Sequence, residues 1–445
     1  MRKEYPFGFY SFTFLFFLAI FSIENFIERQ QSWALLAAYI TAFVSYLFIV
    51  KEKDSFRLLF GLGVLVRLSL FINMPSLSDD IYRFIWDGTL LANGIHPFDQ
   101  LPGFYLDQNI PGITQELYNK LNSPEYFTVY PAINQFVFWL SATIGGGSWL
   151  ASANMIRTLL LAAEIGSFWV IVHLLRTYNK SPQLVFWFFL NPLVILEFVG
   201  NVHFDGFVLF FLLAGIYGFE KSKKILSGSA LGLAIGTKLL PLIYLPYVFL
   251  TGLKNKKWHI SIIAGVVGVL SLVPMLNASF IQGMQSSLNL YFQKFEFNAS
   301  IYFVAREIGY WFYGFNKIAD IGPLLSVVSL ISILCISIYA AIKNWAVPKA
   351  FLFILLTYLL FATTVHPWYT VPLIAFGVLS GYYFPIVWSL MIFVTYLGYS
   401  DAGFYLPMWL VALEYAVVLI ALTLEFRGKL FLFLANESGR KAQID

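Results

Sequence analysis

The sequence predicts an all-α polytopic membrane protein, on the strength of three observations. Of 445 residues, 59% are hydrophobic and only 12% charged, where a water-soluble chain carries about a quarter charged residues to cover its surface. Apolar runs long enough to cross a bilayer recur from end to end. The basic residues cluster in short loops between those runs, which is the pattern that fixes membrane orientation. The lone Cys335 excludes an intrachain disulfide and a cysteine metal cluster.

At about 20 residues per crossing, the chain reads as roughly fourteen transmembrane helices. They fall near 7–24, 33–50, 56–75, 153–175, 182–200, 204–219, 225–238, 239–253, 258–277, 322–343, 347–365, 369–384, 385–400 and 405–426. The first follows a basic start and lacks a small-residue cleavage site, so it is expected to be retained. Clusters such as Arg176/Lys180, Lys221/Lys223/Lys224, Lys254/Lys256/Lys257 and Lys343/Lys349 share one side when both termini are cytoplasmic. Keeping that parity makes the run 131–145 a helix lying on the outer surface, with Phe138 and Trp139 at headgroup depth.

The whole chain, 1–445, then forms one integral membrane domain with two long outer loops, 76–152 and 278–321. Loops of that length in a compact protein are functional or disordered. The first is not low-complexity: it mixes Tyr82, Phe84, Trp86, Tyr105, Tyr126 and Tyr130 with scattered carboxylates. This composition suits a folded cap over a cavity.

Directly after the third span stands Ser78-Asp79-Asp80-Ile81-Tyr82-Arg83-Phe84-Ile85-Trp86-Asp87-Gly88. Transfer onto a sugar hydroxyl needs a base, and an aspartate is a natural one. Half-burial near lipid and a neighbouring like charge both favour proton uptake by one member of the Asp79/Asp80 pair. The plainer alternative is that these carboxylates cap a surface helix.

This run resembles the first luminal loop of the GT-C superfamily, the polytopic glycosyltransferases that use polyprenyl-phosphate sugars. It is most similar to the catalytic subunit of the first mannosyltransferase of glycosylphosphatidylinositol assembly, and to related bacterial mannosyltransferases. Asp79, Tyr82, Arg83, Asp87, Gly94, Pro97 and Phe98 match that family's acidic motif and later turn in order. The motif's second aspartate falls on Ile81, with Asp80 beside it instead. Tyr130-Pro131, Asn191-Pro192-Leu193, Gly200-Asn201 with Asp205, Lys238 with Pro241 and Pro246, Asn298 to Phe303, and His366-Pro367-Trp368-Tyr369 extend the likeness over roughly 76–380. The resemblance implies a GT-C-like bundle with Asp79 or Asp80 as catalytic base and Tyr82, Arg83 and Asp87 in substrate binding.

Other residues carry readings of their own. His203 and Asp205, between two spans, are expected to share a pocket with the acidic loop; an ordinary solvated turn is the alternative. Lys238 interrupts an apolar run where Gly236 and Pro241 let the helix break, and a lipid phosphate would repay such a cation; snorkelling would also serve it. Arg306, Lys294 and His366 are further candidates for a donor phosphate, although Arg306 can pair locally with Glu307. Arg157 and Glu164 read as an ion pair beneath the site.

The expected reaction is inverting transfer of a hexose, mannose by resemblance, from a polyprenyl-phosphate donor to a glycan, glycolipid or other lipid-embedded acceptor. It would occur on the outer face of a bacterial plasma membrane. The partners are membrane lipid and these substrates, with no nucleic acid. No resident cofactor is required, and a divalent metal stays open. Gly145-Gly146-Gly147 lacks the Lys-Ser/Thr of a nucleotide-binding loop. A secondary transporter or a non-catalytic cell-envelope assembly subunit would share the topology.

Overall fold

In the computed structural model the described residues are 7–52, 55–293, 295–428 and 430. Lys294 and the terminal residues on which the expected cytoplasmic termini rest lie outside them. The chain is all-α apart from one two-residue hairpin, Tyr399–Ser400 with Gly403–Phe404, and an isolated bridge between Phe297 and Thr364.

Helix occurs within every expected span, but lengths vary. Among the described residues, five helices are long and apolar enough to cross a membrane: Phe7–Asn25, Ser32–Ile49, Trp149–Thr177, Ile318–Ile342 and Met408–Phe426. Counting two sharply bent helix pairs, each as one span, raises this to seven. Others are shorter, such as Val347–Phe361 and Pro367–Ser380. The Ile318–Ile342 helix leaves Leu324, Val327, Leu330, Ile331 and Ile338 exposed. An apolar face that finds no protein partner suits lipid contact. The chain is thus a helical protein with the features of an integral membrane protein.

Two compact units divide the chain. One comprises Met1–Ile72, Ile171–Glu197 and His366–Asp445; the other comprises Asn73–Val170 and Phe198–Val365. In the first unit, Asn191 caps the short helix Pro192–Ile195 by accepting from the Leu193 amide at 3.0 Å, and donates to Ser389 Oγ at 2.9 Å. An asparagine cap with proline at the first helical position is a favoured helix start, which gives the Asn-Pro-Leu motif a structural reason. Glu414 accepts from the Trp388 indole and Glu197 from the Tyr396 hydroxyl, each at 2.8 Å.

The second unit holds the acidic loop, and that loop is folded. It contains the helices Asp80–Ala92, Gln115–Asn119 and Ala132–Gly145. Gly94, with φ +74°, turns the chain after the first of them, and Phe98 is then buried with Ala132, Met275 and Phe280. The Asp80–Ala92 and Ala132–Gly145 helices pack so closely that a Cβ on Gly88 would fall 2.2 Å from the Phe138 carbonyl oxygen. This corrects one expectation. Phe138 is fully buried rather than at headgroup depth, because the face carrying Gln135, Phe138 and Ser141 meets the neighbouring helix. Phe136 and Trp139 are the exposed aromatics.

Gly228, Gly232 and Gly236 recur every four residues along the helix Lys224–Thr237 and let the helix His259–Leu272 approach its backbone. Small residues at this spacing are a recurrent solution for helices in lipid. A Cβ on Gly232 would lie 2.6 Å from Val267 Cβ and 2.8 Å from the Ala264 carbonyl, whereas one on Gly265 would meet nothing within 4 Å. Gly232→Ala should therefore destabilise the protein by about 1–3 kcal/mol through overpacking, while Gly265→Ala is neutral or slightly stabilising. Thermal unfolding in lipid nanodiscs compares the two, and equal behaviour would refute the close approach.

Candidate functional site

The acidic helix begins at Asp80, with Asp79 at the residue before its first turn and making no capping bond to that helix. Both carboxylates are half-buried. Asp80 is held from two sides. Its Oδ1 accepts from Asn122 Nδ2 at 2.7 Å, and its Oδ2 accepts from the Tyr130 hydroxyl at 3.0 Å. Tyr130 precedes Pro131, which stands at the start of the helix Ala132–Gly145, so the Tyr-Pro motif delivers a hydroxyl to the carboxylate.

His203 approaches from the turn 200–205. Its Nε2 lies 3.9 Å from Asp80 Oδ2, an electrostatic contact rather than a hydrogen bond. His203 is almost fully buried. The turn that presents it is strained: Val202 has φ +56°, a conformation that β-branched residues rarely adopt. Several contacts hold it there. Asn201 Oδ1 accepts from the Leu77 amide at 3.3 Å. The buried Arg157 guanidinium donates to the carbonyls of Asn73, Val199 and Gly200 and to Asn154 Oδ1, satisfying orphan carbonyls at the end of the short π-helix Leu196–Gly200. Phe204 packs on Phe84 at 5.4 Å and on Phe138 at 5.2 Å between ring centres.

Arg83 and Asp87 are buried and pair with each other at 2.9 Å. Arg83 also donates to the Tyr126 carbonyl at 3.0 Å, and Gln135 donates to Asp87 Oδ2 at 2.9 Å and to the Tyr130 carbonyl at 3.3 Å. This network ties down the strand of chain 126–130 that carries Tyr130. Tyr82 turns elsewhere, edge-on to Trp149 with the Lys120 ammonium over its ring.

Lys238, extended at the break after the helix Lys224–Thr237, donates to both oxygens of Asp205, at 2.9 and 3.0 Å. The lysine is about 30% exposed and the aspartate 8%. Arg306 lies between Glu296 and Glu307 and over the Phe303 ring. Burial lowers its proton affinity, but the hydrogen bond to Glu307 and the charge of Glu296 outweigh this and leave it raised. Burial, then the bond to Glu296, pushes the Tyr302 phenol above its ordinary range. His366 belongs to the other unit, stacked on Trp368 at 4.3 Å. Among the described residues no three His, Cys, Asp or Glu side chains come together in a group that could hold a metal ion.

Residues 26–254 match the model of a family described as alpha-(1→6)-mannopyranosyltransferase, N-terminal domain. The chain belongs to this family. The matched stretch contains every site residue named above from Asp79 to Lys238 and ends before Arg306 and His366. Two curated relatives are the alpha-(1→6)-mannopyranosyltransferases A and B of Corynebacterium glutamicum. The first is 19% identical over 187 residues, 42% of this chain; the second is 27% identical over 167 residues, 36% of it. The alignments span 37% and 26% of those relatives' own lengths. No solved structure matches the chain. The motif-based likeness to mannosyltransferases therefore holds at the level of a bacterial family.

Sequence reasoning missed Asn122, Gln135 and the roles of Asn201 and Arg157, all of which act through contacts remote in the chain. The geometry separates support from chemistry. Asp87→Asn leaves the buried Arg83 without its charge partner and should cost about 3 kcal/mol or more in stability, whereas Asp80→Asn should cost about 1 kcal/mol or less. Unfolding temperatures of the two variants in the same lipid check this; equal losses would contradict it.

Proposed function

We propose that the chain is a membrane mannosyltransferase that uses a polyprenyl-phosphate mannose donor on the extracytoplasmic face of a bacterial plasma membrane. The observation that carries this reading is the approach of Asp80 to His203, inside a stretch that belongs to a mannosyltransferase family.

The acidic pair supplies the proton acceptor. Asp80 is held in orientation by Asn122 and Tyr130, and a carboxylate oxygen still has a lone pair available after accepting one such bond. An acceptor hydroxyl gives its proton to this carboxylate as its oxygen attacks the anomeric carbon. The bond from that carbon to the donor phosphate breaks, and polyprenyl phosphate leaves with the electron pair. A single displacement inverts the anomeric centre, by the geometry that distinguishes inverting from retaining glycosidases. A phosphate leaving group is a weak base and needs little acid assistance.

Of the four groups considered for the donor phosphate, Lys294 lies outside the described residues, and Lys238 is the best placed of the other three. It is partly exposed and belongs to the same unit as Asp80, and its partner Asp205 stands two residues from His203. Arg306 is already flanked by two carboxylates. His203 acts through Asp80 as a positioning residue, and Arg83 and Asp87 act through the chain segment bearing Tyr130.

The test is purified protein in nanodiscs with labelled polyprenyl-phosphate mannose and α-linked mannoside acceptors. Transfer should be seen with the wild type and fall about 10²–10⁴-fold in Asp79→Asn/Asp80→Asn, the usual worth of a general base. The single variants identify the base. His203→Ala should lower kcat more than it changes KM for either substrate. Transfer that persists in the double variant removes the catalytic assignment, and a wild type inert with every donor removes the function.

A further inference from the structure

The unit formed by the two chain ends and Ile171–Glu197 carries a cavity of about 530 Å³ that the site above does not use. It lies where the connection between the helices Phe7–Asn25 and Ser32–Ile49 meets the hairpin before Met408–Phe426. Ser32 Oγ donates to the Tyr399 carbonyl at 2.9 Å and joins the two segments. The volume is within the range of small-ligand pockets.

Its walls combine two kinds of group. Trp33, Tyr405 and Trp409 present large rings that are 74%, 76% and 64% exposed, yet all three line this one cavity. Gln30, Gln31 and Ser400 add amide and hydroxyl groups, which both donate and accept hydrogen bonds. No lining residue is charged. Exposed tryptophan and tyrosine at a membrane boundary commonly serve as interfacial anchors. Rings that only anchor have no need to face a shared cavity furnished with amides.

We propose that this cavity is a binding subsite for a neutral oligosaccharide. A pyranose has a face of C–H groups that lies on an aromatic ring and a rim of hydroxyls that needs paired donors and acceptors, which is what these walls offer. The lining residues themselves carry no charge; the nearby Arg29 guanidinium lies 4.4 Å from the centre of the Tyr399 ring, held by a cation–π contact. The identity of the sugar rests on the proposed mannosyl transfer; the existence of a glycan subsite does not.

The experiment is equilibrium binding of α-(1→6)-linked mannotriose to the full chain in phosphatidylcholine nanodiscs, read by ligand-observed magnetic resonance. Wild type and Asp79→Asn/Asp80→Asn should bind alike. Trp33→Ala/Trp409→Ala should bind about tenfold more weakly, having lost two stacking rings, while Trp33→Phe/Trp409→Phe retains most of the affinity and reports on folding. Unaltered binding in the alanine variant, or no saturable binding by the wild type, overturns the subsite. Ring-dependent binding by a protein that transfers nothing supports the subsite and refutes the transferase.

Discussion

Phe204 sets its ring against both Phe84 and Phe138, and on this aromatic seam the proposed chemistry depends. Phe84 stacks on Phe138 at 4.5 Å and meets Tyr130 edge-on at 4.9 Å. One contact set thus joins the acidic helix, the helix Ala132–Gly145 and the turn bearing His203. Aromatic pairs of this kind add about 0.5–1.5 kcal/mol each beyond their buried area. With Gly88 allowing the two helices to touch, the seam fixes where Asp80 begins its helix and where Tyr130 points. The strain at Val202 is tolerated because Asn201, Arg157 and Phe204 over-determine the turn around it.

The charges follow a consistent division. Groups buried most deeply are satisfied within the protein: Arg83 by Asp87 and Tyr126, Arg157 by a set of oxygens. Leaving any of these without partners would cost several kcal/mol. The half-buried carboxylates Asp79 and Asp80 and the partly exposed Lys238 keep access to their surroundings. Such partial access at an apolar boundary is where a base and a phosphate-binding cation can meet a substrate.

Much of this was legible in the sequence where one residue type is costly in its context. Carboxylates, a histidine and a lysine inside an apolar chain are conspicuous, and they led to Asp79, Asp80, His203, Asp205 and Lys238. The helical segments were legible from hydropathy, but their lengths were not. Prolines, the extended break at Lys238 and the π-helix at Leu196–Gly200 divide apolar runs into shorter helices than a 20-residue crossing suggests. The i, i+4 spacing of Arg83 and Asp87 allowed an ion pair, yet only the fold shows that burial turns it inward. Phe138 was misplaced because its burial depends on which helix covers that face. Asn122 and Gln135 carry no mark in an apolar chain, and Asn201, marked by its motif, gave no hint of its contact with Leu77; their partners lie 42, 48 and 124 positions away.

Cysteine cross-linking measures the central contact directly. In a Cys335→Ser background, Asp80→Cys/His203→Cys should be bridged by a short bifunctional thiol reagent in native membranes, because the native side-chain tips lie 3.9 Å apart and the shorter cysteines need a spacer. Asp107→Cys/His203→Cys is the comparison pair, and bridging of the first pair in preference to it is the result expected if the acidic helix and the 200–205 turn converge. Failure of the first pair to link in folded protein, while other engineered pairs do, would contradict the convergence.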